Sequence, residues 1–233
     1  MKIAVVTNAG GGQLDVCLSQ PGFRDRIDAV ISDSQNRALD IADRHGKQCI
    51  IAAGQTKAEF NAALSDQVQK HGFDALLSVG FTRLFSADFL NGFSGHVFNS
   101  HFSLLPAFPG KRGADWTTNV LPPRAIFERA LLYGARFIGN TVHVVDASID
   151  GGRPVMQSCL PVPYDIDRDE LRHELFLQEC RCLFQFIIWL AENRVAVTSE
   201  RVVIAGAKFD DGQYSPALEE EWIKQFAFPR GIG

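Results

Sequence analysis

The regular alternation of short apolar runs with helical segments over residues 1–98 constrains the fold more than any other feature of this sequence. The runs are bounded by glycine turns or by helix-capping residues, which is typical of buried strands. Repeated strand–helix–strand units predict a parallel, right-handed, doubly wound sheet. The predicted strands cover residues 1–7, 27–31, 48–52, 75–79 and 95–98.

A helix is predicted between each strand and the next. The clearest helix covers residues 57–71, where Phe60, Leu64 and Val68 recur at four-residue spacing and Gly72 ends the pattern. The other helices cover residues 14–18, 36–45 and 86–90.

The rest of the chain follows a different pattern. Proline-rich sequence predicts a loop-rich cover with short helices at residues 115–120 and 124–133. After it come strands at 141–145 and 153–162, a long helix at 168–193, and a small hairpin of 201–204 with 207–210. We therefore expect an α/β protein with a doubly wound, mostly parallel, Rossmann-like sheet and a short C-terminal extension. The predicted catalytic domain covers residues 1–195, and a hairpin and tail over 196–233 pack on it.

Composition narrows the classes of function. The chain of 233 residues can bury a full core, and its net charge of −4 argues against nucleic acid as a partner. The first apolar run is too short for a signal peptide, and no stretch approaches the length of a membrane span. The cysteines form no C-x-x-C pair. We expect a cytoplasmic protein with neither a membrane segment nor a zinc site.

Ligands of open α/β sheets bind outside the carboxyl ends of the strands. Three unusual turns follow predicted strands and should meet at that edge, at residues 10–12, 80–84 and 99–101. In the last turn, Asn99 and His101 point the same way if the strand conformation continues through Ser100. An isolated Asn-x-His triplet is more often an ordinary loop, so the other motifs decide its meaning.

Two carboxylates also occupy unusual positions. Asp150 precedes Gly151 and Gly152 after a predicted strand, where ordinary turn chemistry is the simpler explanation. Glu179 interrupts the apolar stripe of the long predicted helix. A carboxylate that faces a core must be paired or must face a cavity.

In combination, the motifs resemble the 10-formyltetrahydrofolate-dependent formyltransferase family, and within it the glycinamide ribonucleotide transformylases, over residues 1–190. The ordered combination is far more specific than any one motif. In chain order, its parts are Gly80-Phe81-Thr82-Arg83-Leu84, Asn99-Ser100-His101 with Ser103-Leu104-Leu105-Pro106 and Pro109-Gly110, Gly139-Asn140-Thr141-Val142-His143, and Asp150-Gly151-Gly152-Arg153-Pro154.

The resemblance implies that Asn99, His101 and Asp150 catalyse formyl transfer to a primary amine. When the amine attacks the formyl carbon, the tetrahedral centre carries a negative oxygen. The Asn99 amide and a protonated His101 can donate hydrogen bonds to that oxygen. Asp150 would favour the imidazolium form and help to carry the proton that the amine loses. This chemistry requires no metal.

The resemblance also implies two binding regions. The formyl donor, 10-formyltetrahydrofolate, should lie in a cleft between the turn at 80–84 and the loop at 144–150. Its predicted contacts are Phe81, Thr82, Arg83, Leu84, Val145 and Asp146. A small-molecule acceptor should lie against Gly10, Gly11 and Gly12. It should also contact Glu179, which falls where the transformylases have a glutamate that contacts ribose hydroxyls.

The sequence departs from the transformylase pattern around the acceptor. The glycine turn continues into Gln13 and lacks the Ser-Asn pair that holds the acceptor's phosphate. Phe176 replaces a polar residue, and the longer stretch at 111–138 contains Trp116, reminiscent of methionyl-tRNA and sugar formyltransferases. The expected acceptor is glycinamide ribonucleotide or a related nucleotide or sugar amine.

Other functions remain compatible with the sequence. One is hydrolysis of 10-formyltetrahydrofolate, and another is folate binding without competent transfer. A nucleotide-dependent oxidoreductase is the weakest alternative, because the glycine turn lacks the complete G-x-G-x-x-G spacing. The sequence leaves the oligomeric state open, a homodimer included.

Overall fold

The computed structural model describes residues 1–9, 11–109, 126–198 and 201–205. Seven strands form one sheet in the order third, second, first, fourth, fifth, sixth, seventh. These strands are β1 (Ile3–Val6), β2 (Ala29–Ser32), β3 (Gln48–Ile51), β4 (Ala75–Ser78), β5 (His96–His101), β6 (Phe137–Val144) and β7 (Pro154–Pro161). Strands β1 to β5 are mutually parallel, whereas β6 and β7 extend the sheet in antiparallel pairing. The predicted α/β, doubly wound, mostly parallel sheet is therefore confirmed.

The strand order places a switch point between β1 and β4. The chain winds outward from β1 to β3 and then crosses back to β4 on the other side of β1. Because the connections on the two sides of this point diverge, a crevice forms at the carboxyl ends of β1 and β4. The turns that follow β1, β4 and β5 all lie at that edge.

Helices cover both faces of the sheet. The helix α4 (Lys57–His71) has the predicted bounds, because Thr56 and Glu59 form a capping box at its start and Gly72 ends it in the left-handed conformation. The remaining helices are α1 (Gly12–Ser19), α2 (Pro21–Arg24), α3 (Arg37–Arg44), α5 (Ala87–Gly92), α6 (Ile126–Tyr133) and α7 (Arg168–Ala191). In the described part of the chain, none of the helices is long and apolar enough to cross a membrane.

The buried side chains of β5 alternate between the two faces. Phe98 belongs to the core cluster under α1, α3 and α7, and the centroid of its ring lies 4.9 Å from that of the Phe186 ring. Val97 belongs to the cluster under α4 and α5. This alternation continues to the end of β5, so Ser100 faces α7 while Asn99 and His101 face the opposite side.

Several predicted elements differ from the structure. β5 continues through His101 instead of ending at 98, so residues 99–101 are strand and not a turn, and α2 was not predicted. β6 begins at Phe137, earlier than the predicted start at 141, because it pairs with β7 from Phe137 onward. In the C-terminal hairpin, β9 (Val202–Ile204) pairs with β8 (Val195–Val197). The predicted partner strand at 207–210, the helix at 115–120, Gly10, Trp116 and the tail beyond 205 lie outside the described residues.

Candidate active site

A cavity of about 350 Å³ opens at the carboxyl ends of β4 and β5. Its wall contains all of the predicted catalytic and folate-binding residues. These are Asn99, His101 and Asp150, together with Phe81, Thr82, Arg83, Leu84, Val145 and Asp146. The turns that lie far apart in the sequence thus meet around one space.

Asn99 and His101 reach this cavity because β5 keeps its strand conformation through His101. In the antiparallel pairing with β6, Asn99 lies opposite His143 and His101 lies opposite Thr141. Asp150 comes from the turn after β6, where it adopts a φ of 52°. Its Oδ2 atom lies 3.3 Å from Nδ1 of His101. The structure therefore brings the three predicted catalytic side chains together.

Both ring nitrogens of His101 face oxygen acceptors. Nδ1 faces the Asp150 carboxylate, and Nε2 lies 3.0 Å from the carbonyl oxygen of Phe108. A carbonyl oxygen can only accept, so Nε2 carries a proton and donates to it. Nδ1 can then donate to Asp150 only when the ring carries both protons, so the surroundings match the imidazolium form.

The Phe108 carbonyl is held in place by the loop that follows β5. Ser103 donates its hydroxyl to the Ala107 carbonyl over 2.6 Å. Thr141 Oγ1 donates to the Ser103 carbonyl over 2.7 Å and accepts from the Leu105 N–H over 3.0 Å. The buried Thr141 hydroxyl is thus engaged in fixing the loop that carries the His101 acceptor.

His143 lies against Asn99 and supplies a contact that the sequence did not single out. Nδ1 donates to the Val144 carbonyl over 3.0 Å, which leaves Nε2 to accept from the Asn99 amide at the same distance. Burial lowers the pKa of His143, and the nearby Asp150 charge only partly opposes this effect. A neutral His143 therefore fixes the orientation of the Asn99 amide.

The turn that carries Asp150 requires a glycine at position 152. A Cβ atom at Gly152 would overlap the Val144 carbonyl oxygen, and one at Gly151 would overlap the Ser148 hydroxyl. Asp146 accepts a hydrogen bond from the Ser148 N–H over 2.8 Å. Gly152 is therefore needed to fold the turn back onto His101, whereas a side chain at position 151 would displace only the Ser148 hydroxyl.

In the predicted folate turn, the Arg83 side chain has a structural role. Its Nε atom lies 2.7 Å from Asp33 Oδ2, and its Nη1 donates to the Gly54 carbonyl over 2.7 Å. Thr82 donates its N–H to Asn8 over 3.0 Å, which joins this turn to the one after β1. The sequence missed Lys57, which also lines the cavity from the first turn of α4.

The described part of the glycine turn that was predicted to bind the acceptor, Gly11 and Gly12, leads into α1. Gly11 is the N-cap, with a φ of 70°, and it provides no side-chain hydrogen bond to the first turn. A Cβ atom at Gly11 would overlap Ile41, and one at Gly12 would contact the Phe176 ring. Glycine is therefore required at position 11, whereas at position 12 a Cβ atom would make only an ordinary contact.

Glu179 lies in the core beneath this turn, on the opposite face of the sheet from the imidazoles. It is 1% exposed, and it accepts hydrogen bonds from Ser100 over 2.7 Å and from Gln13 over 3.0 Å. Burial raises the pKa of Glu179 to about 7, although the two hydrogen bonds oppose the increase. The expectation of a paired core carboxylate is confirmed. Within the described ranges, no group of three or more His, Cys, Asp or Glu side chains is arranged to hold a metal ion.

The fold and the site together define an α/β protein with amide, imidazole and carboxylate groups around one cavity. The Formyl transferase family matches residues 1–187, and the chain belongs to this family. The predicted family is therefore confirmed, and the oxidoreductase alternative is set aside.

Named relatives extend the similarity over most of the chain. A phosphoribosylglycinamide formyltransferase of Mycobacterium tuberculosis is 31% identical over 223 residues, which cover 89% of this chain and 93% of the relative. The Escherichia coli protein of the same name is 24% identical and covers 92% and 99% of the two chains. The crystal structure of glycinamide ribonucleotide transformylase 1 from Symbiobacterium toebii superposes with a TM-score of 0.73 at 29% identity, covering 88% and 93%.

Proposed function

We propose that this protein transfers the formyl group of 10-formyltetrahydrofolate to the primary amine of a small acceptor, with glycinamide ribonucleotide as the first candidate. The observation that carries the proposal is the contact of His101 with Asp150 beside Asn99 in the cavity of a Formyl transferase fold. The names of the relatives that match nearly the whole chain support this acceptor.

The geometry supports a direct transfer mechanism. The acceptor amine attacks the formyl carbon, the new C–N bond forms, and the formyl oxygen becomes negative. One Asn99 N–H is directed at His143, and the same amide carries a second N–H beside the cavity. Donation from Asn99 and from the His101 imidazolium stabilises the oxyanion, and each donor is typically worth about 3 kcal/mol. For His101, the oxyanion would compete with the Phe108 carbonyl for the Nε2 proton.

Collapse of the tetrahedral centre breaks the bond between the formyl carbon and N10 of the folate. The attacking amine loses a proton in the process, and N10 gains one. Asp150 is suited to assist this transfer through water, because its carboxylate lies beside His101 and lines the cavity.

We assign the folate and the acceptor to different sides of the site. The folate fits the wall formed by Phe81, Thr82, Leu84, Val145 and Asp146, and Lys57 adds a positive charge for its carboxylates. The acceptor's phosphate fits the uncapped first turn of α1 at Gly11 and Gly12, where backbone N–H groups favour an anion.

A panel of amines tests the proposal. Glycinamide ribonucleotide, amino sugars and other nucleotide amines are each mixed with 10-formyltetrahydrofolate and the protein, and products are read by mass spectrometry with a parallel assay for formate. We expect a formylated amine without excess formate. Formate release with no formylated product would instead establish the hydrolase. Folate binding without turnover on any amine would establish a binding protein.

A further inference from the structure

Ser100 lies between Asn99 and His101 but points to the other face of the sheet. Its hydroxyl donates to Glu179 Oε1 over 2.7 Å, and Ser100 is only 8% exposed. Because the three residues are consecutive in β5, any shift of Ser100 moves the backbone that carries both predicted oxyanion donors. This hydrogen bond therefore constrains the positions of Asn99 and His101 from the opposite face of the sheet.

The second oxygen of Glu179 reaches a different element. Oε2 accepts from Nε2 of Gln13 over 3.0 Å, and Gln13 belongs to the first turn of α1, directly after Gly11 and Gly12. One carboxylate on α7 thus joins β5 to the turn that is proposed to bind the acceptor's phosphate. Both oxygens are engaged, and the side chain is nearly inaccessible.

We propose that Glu179 is a positioning residue that holds Asn99 and His101 in register with the glycine turn through Ser100 and Gln13, and that it does not contact the acceptor. The proposal rests on formyl transfer as the function. Small displacements of catalytic groups cost much of the rate, so a fixed β5 matters for turnover.

The alternative is the contact with acceptor hydroxyls that the resemblance predicted for Glu179. That contact requires the buried carboxylate to become accessible to the ligand, whereas the positioning role requires both existing bonds to persist. The two roles therefore make opposite predictions for Ser100→Ala. This substitution removes a positioning bond but leaves the carboxylate able to bind a ligand.

Steady-state kinetics separate the two roles. For Ser100→Ala and Glu179→Ala, we expect kcat to fall about tenfold, with the acceptor KM unchanged within about twofold. The double variant should be no slower than the slower single variant, because both remove one interaction. Glu179→Gln should retain most of the rate, since its amide oxygen can accept from Ser100. The matched control is Ser158→Ala, which removes another sheet hydroxyl, one that donates to Asn140 away from β5.

Hydrogen–deuterium exchange provides a readout that does not depend on the acceptor. The amides of residues 99–101 should exchange about tenfold faster in Ser100→Ala and Glu179→Ala than in the wild-type protein or in Ser158→Ala. Unchanged exchange in both variants would overturn the positioning role. A higher acceptor KM in Glu179→Ala with wild-type kinetics in Ser100→Ala would also overturn it. If the wild-type protein formylates no amine, the proposed function fails, and the exchange data still decide the positioning role.

Discussion

Two imidazoles lie beside the Asp150 carboxylate, but their surroundings differ. His101 has an acceptor at each ring nitrogen, whereas His143 donates at Nδ1 and accepts from Asn99 at Nε2. The family resemblance implied the first role, and the strand spacing predicted that Asn99 and His101 point the same way. The sequence could not predict the second role, since the contact of Asn99 with His143 depends on the antiparallel pairing of β5 with β6.

The partners of the Arg83 and Glu179 side chains likewise could not be predicted from the sequence. The resemblance placed Arg83 in the folate cleft, and its turn does line the cavity. Its guanidinium group, however, is bound by Asp33 and Gly54, which lie far away in the sequence. Likewise, the helical stripe indicated that Glu179 needs partners but could not identify Ser100 and Gln13. Long-range partners of this kind are set by the tertiary fold.

The buried carboxylate of Glu179 should make stability depend on pH. Because burial raises its pKa from 4.5 to about 7, the folded protein holds a proton that the unfolded chain releases between those values. Stability is therefore fully present below pH 4.5 and is lost as the pH rises through about 7. The total loss from this group is of order 3 kcal/mol.

Glu179→Gln should remove this dependence, so that the variant gains stability relative to the wild type at pH 8 but not at pH 4.5. Urea unfolding at a series of pH values measures the difference. The neighbouring Cys182 thiol has a pKa raised to about 12 by burial, so it stays protonated throughout this range. A constant difference between the two proteins from pH 4.5 to 8 would contradict the prediction.

At the level of elements, the parallel half of the sheet was predictable and the antiparallel half less so. Each parallel strand is a short apolar run followed by a helix, and α4 carries caps that define both of its ends. β6 was predicted too short because its first residues, Phe137 and Ile138, become strand only through pairing with β7. β8 was missed because it has only three residues and, among the described strands, pairs with β9 alone.

The turn between β6 and β7 is the element on which the site most depends. In Gly152→Ala, the added Cβ would overlap the Val144 carbonyl, so the turn must shift and move Asp150 away from His101. We expect kcat to fall at least tenfold and stability to fall by about 1–3 kcal/mol, as for other overpacked sites. Activity assays and thermal unfolding measure the two effects.

Gly92 provides the matched control. A Cβ atom there would meet nothing within 4 Å, and Gly92 is the last residue of the helix α5. Gly92→Ala should therefore keep both the stability and the activity of the wild-type protein. If Gly152→Ala behaved like Gly92→Ala, the turn would not be positioning Asp150.

For the whole molecule, the topology explains why turns from distant parts of the chain form one site. The switch between β1 and β4 opens a crevice, and β5 delivers Asn99 and His101 to its wall. The α/β class and the edge where ligands bind followed from the sequence, because they depend on local patterns and general rules of chain winding. The wall that we propose to bind the acceptor depends on longer-range packing, including that of Phe176 beside Gly12.

The central claim is that the carboxylate of Asp150 drives formyl transfer through His101. Asp150→Asn tests it cleanly, because asparagine also tolerates the left-handed conformation at φ 52° and keeps an oxygen to accept from Nδ1. Only the negative charge is lost. Asp66→Asn, an exposed change on α4, is the control.

The measurement is kcat for formyl transfer from 10-formyltetrahydrofolate to the amine identified by the panel. We predict that Asp150→Asn lowers kcat about 10²-fold or more, as expected for loss of a general acid–base group, and leaves the donor's Kd within about twofold. Asp66→Asn should retain the wild-type rate. Wild-type turnover in Asp150→Asn would contradict the mechanism.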